Sequence, residues 1–500
     1  MIKFVKLRNW LSLKSILQYP WIIVLTLLFI GLNGYLIYNN NYYLNAVPLV
    51  LLIIYMAFYY LESTFLLVAF LTPLSVNLEE FSNGEIGLFL PTEPILLGLL
   101  ILLLLKQLIT PFVDNKVWRN PIVWSLGFYI GWIFITSITS TSPIISFKFL
   151  LMKLWFILPL ILIGSMVFKN HRNIIRFIWL YSIGMTIVIF YTLIRHYGYS
   201  FGEEEGHWVM SPFFKDHTIY GASVAISIFF ILGLLLYKQQ GPLLQFVLLV
   251  MFSITALGLY FSYTRGAWLS VFVAVMVWLF IKYKVKFKYL LVLGIIVLST
   301  IYFSWDQIQM ELARNKAEHT TTAFDERLQS ATNVTSDASN LERLNRWNAA
   351  WEMYKKKPVF GFGPGTYAFE YAPYQDPDML TIISTNFGNA GNAHSEFLGP
   401  MAEMGTFGIL AMVLFVAALF YKGITLYIKF PEDNETNIQL RRLLLFVILA
   451  MSTYFFHGLL NNYLDTDKAA VPIYGACAIF IALEIKMIQD QKRIKTTTEQ

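Results

Sequence analysis

The stretch "TIYGASVAISIFFILGLLL", residues 218–236, decides the fold class of this chain. It contains no charged side chain, and a helix needs about 20 such apolar residues to cross the hydrocarbon core of a bilayer. Similar runs recur from one end of the chain to the other. Of the 500 residues, 57% are hydrophobic and only 14% are charged, whereas a soluble domain carries about 25% charged residues. The sequence therefore predicts an all-α, polytopic integral membrane protein.

The apolar runs predict 12–14 transmembrane helices, because two of the fourteen candidates, between residues 44 and 76, are weak. The candidate spans are Trp21–Ile37, Leu44–Tyr60, Phe65–Val76, Ile95–Ile109, Ile122–Ile138, Leu150–Phe168, Ile174–Ile194, Thr218–Leu236, Leu243–Phe261, Ala267–Ile281, Tyr289–Phe303, Glu396–Phe420, Leu443–Phe456 and Ala469–Ile485. We expect about eleven spans in residues 1–303, one large outer loop over 304–393, about three spans in 394–486, and a basic cytoplasmic tail over 487–500.

The positions of Lys and Arg predict the orientation of the spans. With both termini in the cytoplasm, the inner segments carry 23 of these residues and the short outer loops carry five, which is the bias expected of a membrane protein. The formal net charge of +6 is thus explained by topology, and we expect no nucleic-acid partner. No small-residue cleavage site follows the first apolar run, so we expect it to be a retained helix.

The outer loop contains a segment with helical periodicity, "SNLERLNRWNAAWEMYKKKP", residues 339–358. Ser339 and Glu342 have the spacing of a capping box, and Pro358 is expected to end the helix. The Trp, Tyr and Lys residues fit a helix at the membrane–water interface. A helix that packs onto the loop's own fold fits them equally well.

Several common catalytic and metal-binding patterns are missing from the sequence. There is no HExxH motif and no P-loop lysine, and Cys477 is the single cysteine, which we expect to be a buried core residue. The segment "GFGPG", residues 361–365, is expected to be a turn. His196, His207 and His217 share one outer loop, but their spacing fits no common metal site. We therefore expect neither a metal nor another cofactor.

The segment "SYTRGAW", residues 262–268, places one cation between two spans at the outer face. Arg265 is the only charged residue between Lys238 and Lys282. A cation at membrane depth is costly and is usually kept for a partner. The alternative interpretation is that Arg265 extends to the outer interface.

The segment "GNAHSEFLGPMAEMGTFGIL", residues 391–410, opens a span with polar residues. We expect Asn392 to cap the helix and His394 to lie in its first turn, where the positive helix end would keep the imidazole neutral and able to accept a proton. A histidine satisfied by loop contacts is the alternative. Glu403 lies about half a turn out of phase with His394 and is expected to have a structural role.

These segments resemble a known family in three places. His394-Ser395, nine further residues and then Gly405-Thr406-Phe407-Gly408 resemble the pattern H-[NSQ]-x9-G-x-x-G of the O-antigen ligase and O-antigen polymerase superfamily. "SYTRGAW" resembles its S-x-S-R-G-A-W segment, with Thr264 in place of the second Ser. Residues 342–367 resemble its outer-loop signature, with an Arg four residues before a Trp and then a Pro-hydrophobic-Gly-x-Gly turn. The resemblance covers about residues 210–460.

The resemblance implies a lipid-dependent, GT-C-like glycosyltransferase of the bacterial inner (cytoplasmic) membrane. It implies inverting, metal-independent transfer of a glycan from undecaprenyl pyrophosphate to an acceptor hydroxyl at the periplasmic face. The acceptor stays open between lipid A core, a growing polysaccharide and a protein. A polysaccharide or small-anion transporter is the rival from another class, but it predicts charges inside several spans.

The resemblance also implies roles for particular residues, each named by its place in this sequence. His394 would be catalytic, and Arg265 with Arg343 or Arg346 would bind the donor pyrophosphate; Arg343 fits the spacing before Trp347 best. Outer loops 195–217 and 305–340 would supply acceptor contacts, with Asp216 and His217 as candidates. The residues expected to be structural near the site are Ser395, Glu403, Gly405 and Gly408, the two glycines because they would allow neighbouring helices to approach closely.

Overall fold

A computed structural model describes residues 20–41, 43–80, 87–237, 241–304, 338–380 and 391–498. The all-α prediction is confirmed, since the only β-structure in these ranges is a pair of two-residue strands. Strand β1, Val76–Asn77, pairs with β2, Phe89–Leu90, in antiparallel fashion. Most of the 305–340 loop that was expected to contact the acceptor lies outside the described residues.

Seventeen α-helices within the described ranges form the architecture. In chain order they are α1 Pro20–Tyr38, α2 Ala46–Tyr59, α3 Leu61–Leu74, α4 Thr92–Ile109, α5 Asn115–Trp118, α6 Pro121–Ile138, α7 Pro143–Leu158 (which continues through a π turn, Pro159–Ile163, into Gly164–Val167), α8 His171–Tyr197, α9 His217–Leu235, α10 Pro242–Tyr260, α11 Arg265–Lys282, α12 Phe287–Phe303, α13 Ala338–Lys356, α14 Tyr367–Glu370, α15 Leu398–Lys429, α16 Glu435–His457 and α17 Asp467–Thr498. Short 3₁₀ turns cover Tyr43–Asn45, Leu78–Glu80, Glu205–His207, Ala372–Tyr374 and Pro377–Met379.

Ten of the described helices are long and apolar enough to cross a membrane. They are α4, α6, the extended α7, α8, α9, α10, α11, α15, α16 and α17. The sequence led us to expect 12–14, and part of the difference lies near the N-terminus. The helices there, α1, α2 and α3, are not among the ten, and α2 and α3, with 14 residues each, are shorter than the roughly 17–25 residues that a crossing requires.

The chain divides into two units, residues 1–64 and residues 65–500. The first contains α1 and α2. In the second, α9, α16 and α17 form the centre, with 83%, 72% and 78% of their spans buried by other parts of the protein. Helices α10 and α11 are only 22% and 17% buried, so most of their apolar surface is left for lipid. Cys477 is a free, buried residue of α17, as expected.

The helix predicted in the outer loop is confirmed as α13, which ends before Pro358. Its buried face contributes Ala349, Ala350 and Met353 to an apolar cluster whose other members are Phe362, Tyr367, Tyr371, Ala393 and Ala402. Trp351, by contrast, is 49% exposed. In the described residues α13 therefore packs onto the loop's own fold. The side chain of Ser339 lies outside those residues, so the capping box stays a prediction.

Helix α15 is broken at Gly405, whose φ of 67° and ψ of −158° are not helical. The break leaves backbone groups of α15 without their usual helical partners. Residues 358–363, which lead into the "GFGPG" turn, form hydrogen bonds with backbone groups around the break. Phe362 N donates to Ala402 O at 3.3 Å, Gly363 N donates to Glu403 O at 2.7 Å, and Thr406 N donates to Pro358 O at 2.8 Å. The predicted turn is thus confirmed, and it is joined to α15 through the backbone.

The expected reason for the two glycines of α15 is wrong. A Cβ at Gly405 would lie 2.3 Å from the carbonyl oxygen of Val359, and one at Gly408 would lie 2.4 Å from that of Pro400. The close neighbours are the turn and the preceding part of α15 itself, not a neighbouring helix. Gly405 is needed because L side chains rarely adopt its backbone conformation.

Candidate active site

The polar segment before α15 forms a bend instead of a first helical turn. Asn392 Oδ1 accepts a hydrogen bond from His394 N at 2.9 Å, and His394 has a φ of +47°. Ser395 Oγ accepts from Phe397 N at 3.3 Å. Short polar side chains often satisfy nearby backbone amides in this way, and α15 begins only at Leu398. The prediction that Asn392 caps the helix with His394 in its first turn is therefore wrong.

Helix α13 holds this bend in place through two side chains. Arg346 Nη1 donates to Asn392 O at 3.4 Å, and Trp347 Nε1 donates to His394 O at 3.2 Å. The outer-loop signature is thereby connected directly to the histidine motif. The position of His394 depends on α13 as well as on α15.

The imidazole of His394 contacts a side chain that follows α16. Its Nδ1 lies 3.4 Å from Oδ1 of Asn461, and Nδ2 of Asn461 lies 3.0 Å from Nε2 of His457. An amide oxygen only accepts hydrogen bonds, so Nδ1 is the nitrogen that would carry the proton of neutral His394 in this contact. Nε2 then carries the lone pair and is the atom that can accept a proton.

The protonation state of His394 is set by its surroundings. Burial lowers its pKa to about 4, and the positive charges of Arg343 and Arg346 act in the same direction. The expected outcome, a neutral imidazole at neutral pH, is retained. The expected cause, the helix N-terminus, is replaced by burial and two guanidinium groups.

The two candidate arginines of α13 have different environments. Arg346 is 4% exposed, its Nε donates to Glu342 Oε1 at 2.7 Å, and its guanidinium lies 4.6 Å from the ring centre of Tyr371. Arg343 is only half-buried, and its charge acts on His394 and also on His217. Arg346 is therefore packed against Glu342 and Tyr371, whereas Arg343 is more exposed and its charge acts on two histidines.

Arg265, on a different helix, lies near the same histidines. It is the first residue of α11, and its charge, like that of Arg343, acts on His217. A Cβ at the next residue, Gly266, would lie 3.4 Å from Cε1 of His457, which connects through Asn461 to His394. Helix α11 thus brings Arg265, and helix α13 brings Arg343 and Arg346, to a cluster of three histidines, His217, His394 and His457.

The candidate acceptor residues lie at the start of α9. Asp216 caps this helix, since its Oδ1 accepts from Thr218 N at 2.8 Å and from Ile219 N at 3.2 Å. The His217 ring stacks on His207, with ring centres 4.2 Å apart, and Thr264 Oγ1 donates to His217 O at 2.7 Å. Asp216 is therefore committed to the helix end, whereas His217 borders the arginine-containing segment. Within the described ranges, no three His, Cys, Asp or Glu side chains are grouped closely enough to hold a metal ion.

Two buried carboxylates follow the bend along the chain: Glu396 lies just before α15, and Glu403 lies on it. Glu403 Oε1 accepts a hydrogen bond from Tyr367 N at 2.9 Å, which joins α15 to α14. Glu396 Oε1 accepts from Tyr454 Oη at 2.5 Å, from Tyr463 N at 2.6 Å and from Leu464 N at 2.9 Å. Burial raises the pKa of Glu396 to about 6, and the nearby charge of Asp465 adds to this effect.

Sequence reasoning missed the segment "HGLLNNY", residues 457–463, which supplies His457, Asn461 and Asn462. It matches none of the motifs that carry the resemblance, and its residues meet His394 only through the packing of α16 against α15. The available signal was a polar cluster at the end of a span, since His457, Asn461 and Asn462 follow a long apolar run.

A family model described as O-antigen ligase matches residues 249–413. The matched segment runs from α10 into α15 and contains Arg265, both arginines of α13 and His394. No curated protein matches the chain.

Proposed function

Since residues 249–413 match a family model described as O-antigen ligase, we propose that this chain transfers a glycan from undecaprenyl pyrophosphate to an acceptor hydroxyl. The reaction would take place at the periplasmic face of a bacterial inner membrane, where the distribution of Lys and Arg puts the outer loop. The family match supports a membrane glycosyltransferase in general, and the arrangement around His394 supports this particular reaction.

One observation carries the proposal: His394 Nδ1 lies 3.4 Å from the amide oxygen of Asn461, which only accepts hydrogen bonds, so a proton on Nδ1 leaves Nε2 as the basic nitrogen. An acceptor hydroxyl needs a base within hydrogen-bond reach, and such a base contributes about 10²–10⁴-fold to the rate. With its pKa near 4, the imidazole is a modest base. It is, however, unprotonated and available at any pH near neutrality.

In the proposed step, the acceptor oxygen attacks the anomeric carbon of the donor sugar. The hydroxyl proton passes to His394 Nε2, and the bond between the anomeric carbon and the pyrophosphate oxygen breaks. The electron pair of that bond leaves with the lipid pyrophosphate. Attack from the side opposite the leaving group would invert the anomeric centre.

The arginines would neutralise the charge that develops on the leaving group. Guanidinium groups bind phosphate oxygens through two parallel hydrogen bonds. Arg265 and Arg343 come from different helices and would clamp the pyrophosphate from two sides, whereas Arg346 would hold the bend. Loss of one such contact is expected to lower the rate by about 10²–10³-fold.

The test is transfer by the full-length chain in proteoliposomes that contain a lipid-pyrophosphate-linked glycan and an acceptor, without an ion gradient. We expect His394→Ala to lower the transfer rate by about 10²–10⁴-fold and Arg265→Ala to lower it by about 10²–10³-fold. The matched controls His171→Ala and Arg172→Ala change the same residue types at the start of α8, far along the chain from the motifs, and should leave transfer intact. Full transfer by His394→Ala and Arg265→Ala would refute the site assignment, and movement of intact glycan that requires a gradient would favour a transporter.

A polymerase of the same superfamily would use the same chemistry with a different acceptor. The assay separates the two when lipid A core and lipid-linked glycan are offered as alternative acceptors. Transfer to lipid A core identifies a ligase, and extension of the glycan identifies a polymerase.

A further inference from the structure

A cavity of about 260 Å³ borders the His394 bend without including His394 itself. Its wall is formed by α6, α7, the residues after the "GFGPG" turn, the beginning of α15 and the segment that follows α16. Asn392, which accepts the hydrogen bond from His394 N at 2.9 Å, also lines this cavity. A ligand in the cavity would therefore lie next to the proposed base.

The cavity wall combines aromatic rings with acceptor groups. Tyr129, Phe149 and Tyr367 supply rings, which suit the apolar face of a ligand. Glu396, Glu403 and Asp465 supply carboxylates, which when ionised accept hydrogen bonds and donate none. A ligand that fits must therefore carry both a C–H face and several hydroxyl or amide donors.

The acceptor groups are held rigidly before any ligand arrives. All three hydrogen bonds to the Glu396 carboxylate reach its Oε1, so they leave Oε2 for another donor. Asp465 is fixed by Lys153, whose Nζ lies 2.5 Å from Oδ1. Asn462 also lines the cavity, and its buried Oδ1 accepts no hydrogen bond from the residues that the structure describes. Such a buried acceptor calls for a donor.

The volume and the charge of the cavity narrow the choice of ligand. Drug-sized ligands occupy about 300–1,000 Å³, so 260 Å³ admits one small ring and not a chain of sugars. Asp465 is ion-paired with Lys153, but the carboxylates of Glu396 and Glu403 would repel a phosphate group, and an apolar ligand would leave Asn462 Oδ1 without a donor.

We propose that this cavity binds a single uncharged sugar ring of the acceptor, with its hydroxyls donating to Glu396, Glu403 and Asn462. The inference rests on the proposed glycosyl transfer, and it names the part of the substrate that the cavity recognises. The pyrophosphate would bind on the arginine side of His394, and the acceptor ring would bind on the carboxylate side.

Gly399 provides a direct way to fill the cavity. It lines the wall, and a Cβ at this position would meet only Ala393 Cβ, at 3.8 Å. Gly399→Phe would therefore extend a ring into the free space, and Ala368→Leu would enlarge a second residue that lines it. Gly131→Phe is the matched control, since that glycine lies on α6 with nothing within 4 Å of an added Cβ and does not line the cavity.

The probes are uncharged methyl hexosides, observed by saturation-transfer NMR on the full-length protein in detergent. We expect them to bind the parent protein and Gly131→Phe, and to bind Gly399→Phe and Ala368→Leu at least about tenfold more weakly, a factor that corresponds to about 1.4 kcal/mol. A methyl glucuronide, which carries a carboxylate, should bind more weakly than the uncharged hexosides. Thermal unfolding in detergent identifies any variant that fails to fold.

Two results would overturn the proposal: no hexoside binding to the parent protein, or equal binding to both filled variants. Failure of the proposed function has a different signature. If His394→Ala keeps its transfer activity while the filled variants lose hexoside binding, the catalytic assignment is wrong and the cavity assignment stands. If transfer depends on His394 but hexosides do not bind, the cavity assignment is wrong.

Discussion

Asn461→Asp tests how the surroundings of His394 control its protonation. The substitution places a carboxylate where an amide oxygen now lies 3.4 Å from His394 Nδ1. At an effective dielectric constant of about 20, two unit charges at this distance attract by about 5 kcal/mol. Desolvation of the new carboxylate offsets part of this energy, so we expect the His394 pKa to rise by about 1–3 units.

A higher His394 pKa should shift the pH dependence of transfer, because only the neutral imidazole can accept the proton. In the parent protein His394, with a pKa of about 4, stays neutral down to mildly acidic pH, so transfer should weaken only as the pH approaches that value. In Asn461→Asp the imidazolium is stabilised, so a larger fraction of His394 is protonated at pH 5–6 and cannot accept the acceptor proton. The acid limb of the pH–rate profile should therefore move to higher pH by the same 1–3 units.

The measurement is a pH titration of ¹³C-histidine-labelled protein in detergent, with His394→Gln to assign the signal, beside the pH–rate profile of transfer. Asn461→Ala is the control, because it removes the contact without adding a charge and should not raise the pKa. An unchanged His394 pKa in Asn461→Asp would refute the contact. A raised pKa with an unmoved acid limb would refute the role of His394 as the base.

Four further single substitutions and one double substitution test the supports around the site. Arg343→Ala should lower transfer by about 10²–10³-fold with little change in thermal unfolding. Arg346→Ala breaks a buried ion pair and should destabilise the protein by about 3–5 kcal/mol. If Arg343→Ala destabilises the protein and Arg346→Ala only lowers transfer, the two assignments are reversed. Gly405→Ala forces a side chain into a φ of +67° and should cost at least about 1–3 kcal/mol, measured as a lower unfolding temperature. Lys153→Met should destabilise by about 1–3 kcal/mol, because Asp465 loses its counterion but is itself partly exposed, and Lys153→Met combined with Asp465→Asn should recover part of that loss.

The fold class was predictable because apolar length alone sets it. An uninterrupted apolar run such as residues 218–236 is long enough to cross a bilayer. Helix α9, His217–Leu235, lies within one residue of the span predicted there. The interior of the bundle was less predictable. Which helices lie at the centre depends on contacts among spans of nearly equal hydropathy, so the burial of α9, α16 and α17 could not be read from composition.

The candidate site was predictable only as far as its motifs extend. The sequence indicated His394 and one arginine from each of two segments, and the backbone periodicity located α13. The bend at His394 was missed because Asn392 and Ser395 are common helix caps, and whether such a residue caps a helix or closes a local turn depends on the dihedral angles of the next residue. The roles of Arg343 and Arg346 could not be separated, because both sit on one helix and only the packing of Glu342 and Tyr371 distinguishes them.

The break at Gly405 limits how this protein can be recombined. Three backbone hydrogen bonds join residues 358–363 to residues 402–406, and they depend on the irregular geometry of both partners. The segment of residues 338–363 therefore cannot be exchanged on its own between related chains. A chimera that replaces α13 and the glycine turn but keeps the original α15 must match all three bonds, and we expect functional crossovers to fall before α13 and beyond Gly408.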